Sequence, residues 1–459
     1  MEGRPPGGAL RTLALLAGVL CAGCAPQAYR PAPLAPEETA ARFESRTLAD
    51  PGLRAFAQAH GRHDAAAWPP ASWDFQALSL AALYFNPQLD SARARLQESR
   101  AAVTTAGARP NPTLEVSPGI PSPYLLTLDL SFPLETAGKR RYRIEAAQHA
   151  ALAAELDLAE AAWKIRGDVR AALVEHLISS ETLDLLRSEV QTRGDEVHLL
   201  ERMASLGELP APEADAARIA LAKTRAELIA AEERGAEAKA GLAAAIGVPE
   251  SALDGVRIFW PGVNAPPAVE SLPAAQVRRA AVLNRLDLRS ALAQYAAAEA
   301  RLKLEIAKQY PDIDIGPGYT YEEKQSYFTL GLSAVIPVFH GNRGPIAEAE
   351  AQRQQAAAAF IAAQADVLGK SESSLAVYQV ASREVDEARQ LAQLADARRR
   401  SVQASVRAGE QGRLDLDEAD IERSVAARAE LDAEARAQRA LGDLENAVQR
   451  PLAPGDALP

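Results

Sequence analysis

Histidine, cysteine and carboxylate side chains are the groups in this sequence that could bind metals or take part in catalysis. The sequence contains six histidines, and His60 and His63 are the pair that lies close together. No third ligand follows this pair at the spacing of a metal centre, so we expect neither a metal site nor a cofactor. A Ser-His-Asp signature and a glycine-rich phosphate loop are also absent, which indicates that the protein is not an enzyme.

Both cysteines lie near the start of the chain, at Cys21 and Cys24, directly after a short apolar run over residues 12–20. An apolar run of this length, flanked by arginine, is typical of a signal peptide and is too short to span a bilayer. Ala22-Gly23-Cys24 is similar to a bacterial lipobox, whose cysteine thiol receives a lipid such as palmitate. We therefore predict a signal peptide over residues 1–23 and lipid attachment at Cys24. Ordinary secretory cleavage near Gly23 is the alternative.

Two long helices dominate the pattern of the remaining sequence, over about 139–205 and 345–408. At 1.5 Å per residue, each is roughly 95–100 Å long. In the first helix, apolar residues alternate at steps of three and four, which is the seam of a left-handed coiled coil. Shorter helices are predicted over 80–108, 212–246, 283–309 and 414–446. Within each half, the two shorter helices together match the length of the long one, so we expect them to stack end to end beside it.

Strand patterns precede each long helix. Residues 124–132 and 327–336 alternate between apolar and mostly polar or small side chains, and so do residues 313–321. Strands of nine to eleven residues have the length of tilted transmembrane β-strands, and Tyr124, Tyr319, Tyr321 and Tyr327 are predicted near the hairpin ends, as in an aromatic girdle. A small amphipathic sheet over a soluble core is the alternative. Four strands leave two open edges, so the membrane interpretation requires oligomerisation, and three copies would form a barrel of twelve strands.

The helices and strands occur in the same order twice, which predicts a tandem duplication of a unit of roughly 165–170 residues. Several motifs recur between the copies. Leu114-Glu115-Val116-Ser117-Pro118-Gly119 corresponds to Ile313-Asp314-Ile315-Gly316-Pro317-Gly318, and Pro133-Leu134 before Gly138-Lys139-Arg140 corresponds to Pro337-Val338 before Gly341-Asn342-Arg343. Each long helix ends at a Gly-Glu pair, Gly207-Glu208 and Gly409-Glu410.

With these motifs the chain resembles the TolC-like outer-membrane efflux proteins over nearly its whole length. Leu134-Glu135-Thr136-Ala137-Gly138-Lys139-Arg140, preceded by Arg109-Pro110-Asn111-Pro112, is most similar to the Czc-type components of heavy-metal exporters. The resemblance implies a mainly α-helical fold with a small membrane β-barrel. That fold is a duplicated helix–strand–strand–helix–helix unit, whose homotrimer forms a twelve-stranded barrel, four strands per protomer, continued by a long α-helical coiled-coil tunnel through the periplasm.

The same resemblance implies partners and a division into domains. The partners are a periplasmic adaptor protein, an inner-membrane pump of the RND type and outer-membrane lipid, with the adaptor docking at Leu206-Gly207-Glu208 and Ala408-Gly409-Glu410. We expect an N-terminal segment over 24–78, a first repeat over 79–253 with strands at 113–120 and 124–133, and a linker over 254–282. A second repeat follows over 283–452 with strands at 312–321 and 327–337, and then a tail over 453–459.

The formal charge is −11, and it becomes −12 without residues 1–23, which carry a net charge of +1. Such an acidic chain is a poor nucleic-acid binder. Candidate lumen or entrance carboxylates lie near the Gly-Glu pairs at Asp215, Asp415, Asp417 and Asp420. In a trimer each would be repeated three times and would favour cations. Solvated helix faces are the alternative interpretation of these residues.

The sequence therefore predicts a lipid-anchored channel in the bacterial outer membrane, a passive conduit that carries divalent heavy-metal cations out of the cell. Two alternatives are kept. The first is the same type of channel serving drugs, small molecules or type I secretion. The second is a structural lipoprotein whose coiled coil bridges the periplasm, which does not explain the alternating strands.

Overall fold

The computed structural model describes residues 28–60, 68–119 and 125–453. The predicted signal peptide, Cys24, His63 and Tyr124 lie outside this part of the chain. Two compact units divide at Ser45 and Arg46. The first unit contains helix α1 (Pro36–Glu44), and every other element below belongs to the second.

The second unit begins with helices α2 (Pro51–Ala59), α3 (Phe75–Phe85) and α4 (Pro87–Gly107). The sequence predicted one helix over 80–108, but the chain bends between α3 and α4. Pro87 starts α4, where a proline is tolerated, and the Asn86 side chain accepts a hydrogen bond from the Gln88 amide at 3.0 Å. The bend therefore follows from a proline at the first position of α4 and a capping asparagine.

Strands β1 (Thr113–Gly119) and β2 (Leu125–Leu134) come next, followed by the long helix α5 (Lys139–Ser205) and by α6 (Ala211–Ile246). Three short 3-10 turns then lead to helices α7 (Ala274–Asn284) and α8 (Leu286–Ala307). Strands β3 (Ile313–Glu322) and β4 (Gln325–Ala334), the long helix α9 (Arg343–Ala408) and α10 (Arg413–Val448) complete the order. The described chain is thus mostly helical, with one small sheet.

The four strands form one antiparallel sheet in the order β1-β2-β3-β4. The sequence predicted that the fourth strand continues to residue 337, but β4 ends at Ala334. Ala334 pairs with Ile313, the first residue of β3, so the following residues have no backbone partner in the ladder. A two-residue turn at Glu323 and Lys324, both in the left-handed region, joins β3 to β4.

Helix packing follows the same lateral order as the sheet. On the side of the sheet the neighbours are α4-α5-α8-α9, and beyond the middle of the long helices they are α6-α5-α10-α9. Both shorter helices of the first half therefore pack on α5, and both of the second half pack on α9, as the sequence predicted. Helix α9 is therefore the last helix in both rows, whereas the first helix is α4 in one row and α6 in the other.

Two apolar clusters fill the middle of this helical array. One joins Phe75, Leu78, Leu173, Ile246 and Trp260, so it packs α3, α5 and α6 against the segment between α6 and α7. The other packs α7, α9 and α10 around residues that include Val277, Tyr378 and Leu441. The Tyr378 hydroxyl donates a hydrogen bond to the Pro267 carbonyl, and burial raises the pKa of Tyr378 to about 12.

Candidate functional site

One face of the sheet is apolar across all four strands. The strand register places successive pairs, such as Val116 with Leu128, Leu128 with Tyr319, and Tyr319 with Phe328, side by side on this face. It carries Leu114, Val116, Pro118, Leu126, Leu128, Leu130, Phe132, Leu134, Ile313, Ile315, Pro317, Tyr319, Tyr321, Phe328, Leu330, Leu332 and Ala334. Phe328 and Leu330 are 84% and 72% exposed. An apolar face of this extent marks a surface that binds lipid or another protein.

The opposite face of the sheet is mostly polar or small. Thr127, Thr320 and Tyr327 lie side by side in the register, and Asp129 lies next to Gly318. Tyr327 therefore lies on the polar face, whereas Tyr319 and Tyr321 lie on the apolar face near the hairpin end. Apolar and polar faces that alternate residue by residue are the arrangement of a transmembrane barrel strand.

Both edges of this sheet are open within the described chain. Strand β1 pairs with β2 and strand β4 pairs with β3, and the outer edge of each has no strand partner among the described residues. Open backbone edges cannot be left in lipid, because each unpaired N–H and C=O group would lose its hydrogen bond to water. An apolar sheet with two open edges therefore requires further strands before it can enter a bilayer.

The two predicted docking turns have the same backbone geometry. Gly207 and Gly409 each have φ of +76°, in the left-handed region that favours glycine. The Glu208 amide donates to the Met203 carbonyl at 2.9 Å, and the Glu410 amide donates to the Ser405 carbonyl at the same distance. Both Gly-Glu pairs thus end a long helix in a Schellman motif, and Leu206, Glu208, Ala408 and Glu410 are exposed around them.

The four candidate lumen carboxylates differ in their surroundings. Asp215 is exposed and pairs with Arg218 at 2.9 Å. Asp415 accepts a hydrogen bond from the Gly412 amide at 2.8 Å and caps α10, and Asp420 pairs with Arg399 at 2.5 Å. Asp417 departs from the expectation, because its side chain is 1% exposed and pairs with Arg413 at 2.9 Å. Burial raises the pKa of Asp417, and its carboxylate does not line an open surface of this chain.

Ion pairs between helices are frequent near the turns. Arg398 pairs with Glu422 at 2.6 Å, and Arg423 pairs with Asp396 at 2.6 Å, so these pairs join α9 to α10. Glu189 of α5, with a side chain that is 1% exposed, binds Arg428 of α10 at 2.9 Å. The two helix pairs that carry the turns are therefore linked to each other through a buried carboxylate.

A second buried charge cluster, which the sequence does not predict, lies where α5 meets α10. Glu445 pairs with Arg166 at 3.1 Å and with Arg170 at 3.6 Å, and all three side chains are at most 3% exposed. Arg170 also donates to the Gln438 side chain at 2.6 Å, and Gln438 donates to the Val263 carbonyl at 2.6 Å. The spacing of Arg166 and Arg170, four residues apart beside Ile165 and Val169, was the available signal, because it puts both on the buried stripe of α5.

An open cavity of about 830 Å³ lies between α5, α9 and α10 and is lined by both acidic and basic side chains. Burial raises the pKa of three carboxyl groups around it, those of Glu160, Asp168 and Asp443. Arg285, Lys164 and Lys370 contribute positive charge to the same wall. The described residues contain no group of three or more His, Cys, Asp or Glu side chains that could hold a metal ion.

Helices suited to crossing a bilayer are not found in the described part of the chain, since none combines sufficient length with sufficient apolar character. The sheet lies at one end of the long helices, and the turns lie at the other end.

Comparison with known proteins identifies the class. The profile of the outer membrane efflux protein family matches residues 78–248 and 277–448, so the chain belongs to this family. It is also 27% identical over 304 residues to the cobalt-zinc-cadmium resistance protein CzcC of Cupriavidus metallidurans, covering 62% of this chain and 68% of the relative.

Solved structures share the fold. The outer membrane protein VceC of Vibrio cholerae has a TM-score of 0.65 at 22% identity, covering 84% of this chain and 100% of VceC. CusC has a TM-score of 0.67 at 18% identity, covering 85% of this chain and 96% of CusC. The MtrE outer membrane channel of Neisseria gonorrhoeae has a TM-score of 0.65 at 20% identity, covering 82% of this chain and 89% of MtrE. The chain therefore shares its family with the outer membrane efflux proteins and its fold with VceC, CusC and MtrE.

Proposed function

We propose that this chain is the outer-membrane channel of a tripartite efflux pump, a passive trimeric conduit from the pump to the outside of the cell. The observation that carries the proposal is the sheet, with an apolar face over four strands, a polar face behind it and two open edges. Pairing of β4 in one copy with β1 in the next would satisfy both edges. Three copies then close a barrel of twelve strands, with the apolar face toward lipid and the polar face toward the channel.

The helices support the same assembly. The lateral order leaves α9 and β4 on one side of the protomer, and α4, α6 and β1 on the other. Each side would meet the opposite side of the next copy, as in a heterologous interface that closes into a ring. The long helices would continue the barrel as a tunnel through the periplasm, since each is roughly 100 Å long.

In this proposal the N-terminal end anchors the protein and the turns bind its partners. Residues 1–23 serve as the signal peptide, and Cys24 carries the lipid in the outer membrane. A periplasmic adaptor docks at Leu206-Gly207-Glu208 and Ala408-Gly409-Glu410, and an RND-type pump in the inner membrane supplies the energy. The exposed glutamates of the turns offer the adaptor a polar surface whose backbone geometry is the same in both halves.

Divalent heavy-metal cations are the proposed cargo. The similarity to CzcC, described as a cobalt-zinc-cadmium resistance protein, supports this cargo. The acidic charge and the exposed carboxylates at the turns would also attract cations. A conduit needs no tight metal site, because its cargo must leave.

The test compares a deletion strain with the same strain carrying the wild-type gene. We expect the deletion to lower tolerance to cobalt, zinc and cadmium and to leave tolerance to a panel of drugs and detergents unchanged. Planar-bilayer recordings of the purified protein should show open-channel currents, and crosslinking should yield trimers. Loss of drug tolerance alone would support the alternative cargo, whereas a protein that forms neither trimers nor currents would contradict the channel.

A further inference from the structure

The two connectors between a strand and a long helix have different surroundings, although they correspond in sequence. The first connector (residues 135–138) lies between β2 and α5, and the second connector (residues 335–342) lies between β4 and α9. Each long helix start is tied to the shorter helix of its own half. Arg140 donates to the Gly107 carbonyl at 2.7 Å, and Asn342 donates to the Glu305 carbonyl at 2.7 Å.

The first connector is also tied to the following half of the chain. The Thr136 amide donates to the Asp312 carboxylate at 2.8 Å, and the Lys139 ammonium binds the same carboxylate at 2.7 Å. Lys139 also donates to the Tyr310 carbonyl at 2.7 Å. The connector after β2 is therefore seated on the segment just before β3, and this joint is polar.

The second connector has an apolar surface that nothing in the described chain covers. Val335, Val338 and Phe339 are 83%, 72% and 99% exposed. Val335 lies just beyond the last paired residue of β4, Ala334, so the connector is not part of the apolar face of the sheet. The position occupied by Lys139 in the first half is Asn342 in the second, so the charged contact of the first joint cannot be repeated.

The lateral order indicates what covers this surface. The connector after β2 contacts the segment before the next strand in the sheet, β3. For the connector after β4, the next strand in a closed barrel is β1 of a second copy, and the segment before it is residues 108–112. These five residues, Ala108-Arg109-Pro110-Asn111-Pro112, are all exposed. Thr113 corresponds to Asp312 of the first joint, so the second joint lacks this carboxylate. Residues 108–112 offer the prolines Pro110 and Pro112 instead.

We propose that the second connector binds residues 108–112 of a second copy, with Phe339 packed against Pro110 and Pro112. The joint within one chain is polar, and the corresponding joint between chains is apolar. An apolar joint suits association between copies, because burying a large apolar side chain such as Phe339 removes it from water. This inference rests on the ring of copies proposed above and names one contact within it.

Disulfide trapping tests the contact in the full-length protein extracted from the outer membrane. Phe339→Cys combined with Pro110→Cys should give crosslinked dimers and trimers on oxidation, as measured by non-reducing gel electrophoresis. Each single variant is a control. The matched control pair is Phe339→Cys with Pro210→Cys, in which the second cysteine replaces another exposed proline, at the turn between α5 and α6. The control pair should remain uncrosslinked.

A second measurement does not depend on crosslinking. Phe339→Ser should weaken association between copies roughly tenfold or more in the dissociation constant, as measured by sedimentation in detergent. Leu206→Ser, which removes an exposed apolar side chain at a turn, should leave association unchanged. Protomer secondary structure should stay intact in both variants, because neither side chain is buried.

Three outcomes would count against the inference, and they are distinguishable. A wild-type trimer in which the 339–110 pair does not crosslink and Phe339→Ser associates normally would overturn the joint and leave the channel proposal intact. Reaction of a cysteine at position 339 with a membrane-restricted probe in the assembled trimer would assign the connector to lipid instead. Absence of any oligomer of the wild type would overturn the proposed channel itself.

Discussion

The sheet and the helix turns lie at opposite ends of α5 and α9, and they expose opposite kinds of side chain. Large apolar residues such as Phe328 and Leu330 cover one face of the sheet. At the turns the exposed side chains include Glu208 and Glu410, and ion pairs join the neighbouring helices. Apolar surface is costly to leave in water, whereas an exposed ion pair contributes only about 0.2–1 kcal/mol and is readily exchanged for another.

The sheet and the turns therefore differ in how easily their surroundings can change. The sheet has an environment fixed by the hydrophobic effect. The turns have many weak polar contacts, so a partner that offers new hydrogen bonds can replace them at low cost. Under the proposed function, the sheet stays in the bilayer while the turns change contacts when an adaptor docks.

The largest expected effect is a charge on the apolar face of the sheet. If the proposed trimer forms in the membrane, Leu330→Arg or Leu128→Arg should destabilise it by roughly 2–4 kcal/mol per site. The controls are Thr329→Arg and Thr127→Arg, which put the same charge one residue away on the polar face and should be tolerated much better. Thermal dissociation of the trimer measures the difference. Equal losses from both faces would show that the assignment of the lipid face is wrong.

A smaller effect on stability, with a large effect on export, is expected at the turns. Gly207→Phe or Gly409→Phe forces a side chain into the left-handed region, at a cost of about 1–2 kcal/mol. A Cβ atom at either glycine meets no atom within 4 Å, so the protomer should still fold and form trimers. Under the proposed function, metal export should fall, because the side chain would block close approach of the adaptor. Gly194→Phe is the control, because a Cβ atom there also meets no atom within 4 Å but the residue lies within helix α5. This variant should retain export. Fully active turn variants would move the docking surface elsewhere.

Cation preference should depend on the exposed glutamates more than on the paired aspartates. Glu208→Gln with Glu410→Gln should lower the cation-to-anion permeability ratio in planar bilayers, most clearly at low ionic strength where screening is weakest. Asp415→Asn with Asp420→Asn should lower the ratio less, because these carboxylates already have partners in Gly412 and Arg399. A ratio that neither pair of substitutions changes would leave the carboxylates as solvated helix surface.

The smallest effect is expected from a single exposed ion pair. Arg398→Ala removes the contact with Glu422, and both side chains are about half exposed. The free energy of unfolding should fall by only about 0.2–1 kcal/mol. Arg428→Ala is the contrasting variant, because it removes a partner of the buried Glu189 and should cost several times more. Similar losses from both variants, as measured by denaturant unfolding, would contradict the distinction between exposed and buried pairs.

Much of the fold could be predicted from the sequence because local residues determine it. The first long helix was predicted over 139–205 and lies at Lys139–Ser205, since Gly138 and Gly207 both adopt the left-handed region at its ends. The second was predicted over 345–408 and lies at Arg343–Ala408. The two faces of the sheet follow from alternation alone, and the register of all four strands preserves them.

The surroundings of charged residues could not be predicted in the same way. Asp417 lies near a turn in the sequence, as Asp415 and Asp420 do, but a helix directs neighbouring residues to different sides. Packing of α10 against its neighbours buries Asp417, and only the tertiary contacts reveal this. Arg166 and Glu445 are 279 residues apart, so no local pattern indicates their pairing. The docking role of the turns stays a prediction.

The Glu445 carboxylate that binds Arg166 and Arg170 also accepts hydrogen bonds from two backbone amides at the end of the described chain. Its other oxygen accepts hydrogen bonds from Leu452 at 2.7 Å and Ala453 at 3.4 Å. Leu452 is thereby held next to Arg166, which lies 27 residues from the start of α5 and 39 from its end. An affinity tag or fluorescent protein fused beyond Ala453 would therefore leave the protein beside the middle of α5, roughly 40 Å from the sheet end of that helix and roughly 60 Å from the turn. Purification and imaging handles can be placed there without touching either the apolar face of the sheet or the two Gly-Glu turns, provided that Leu452 and Ala453 are kept.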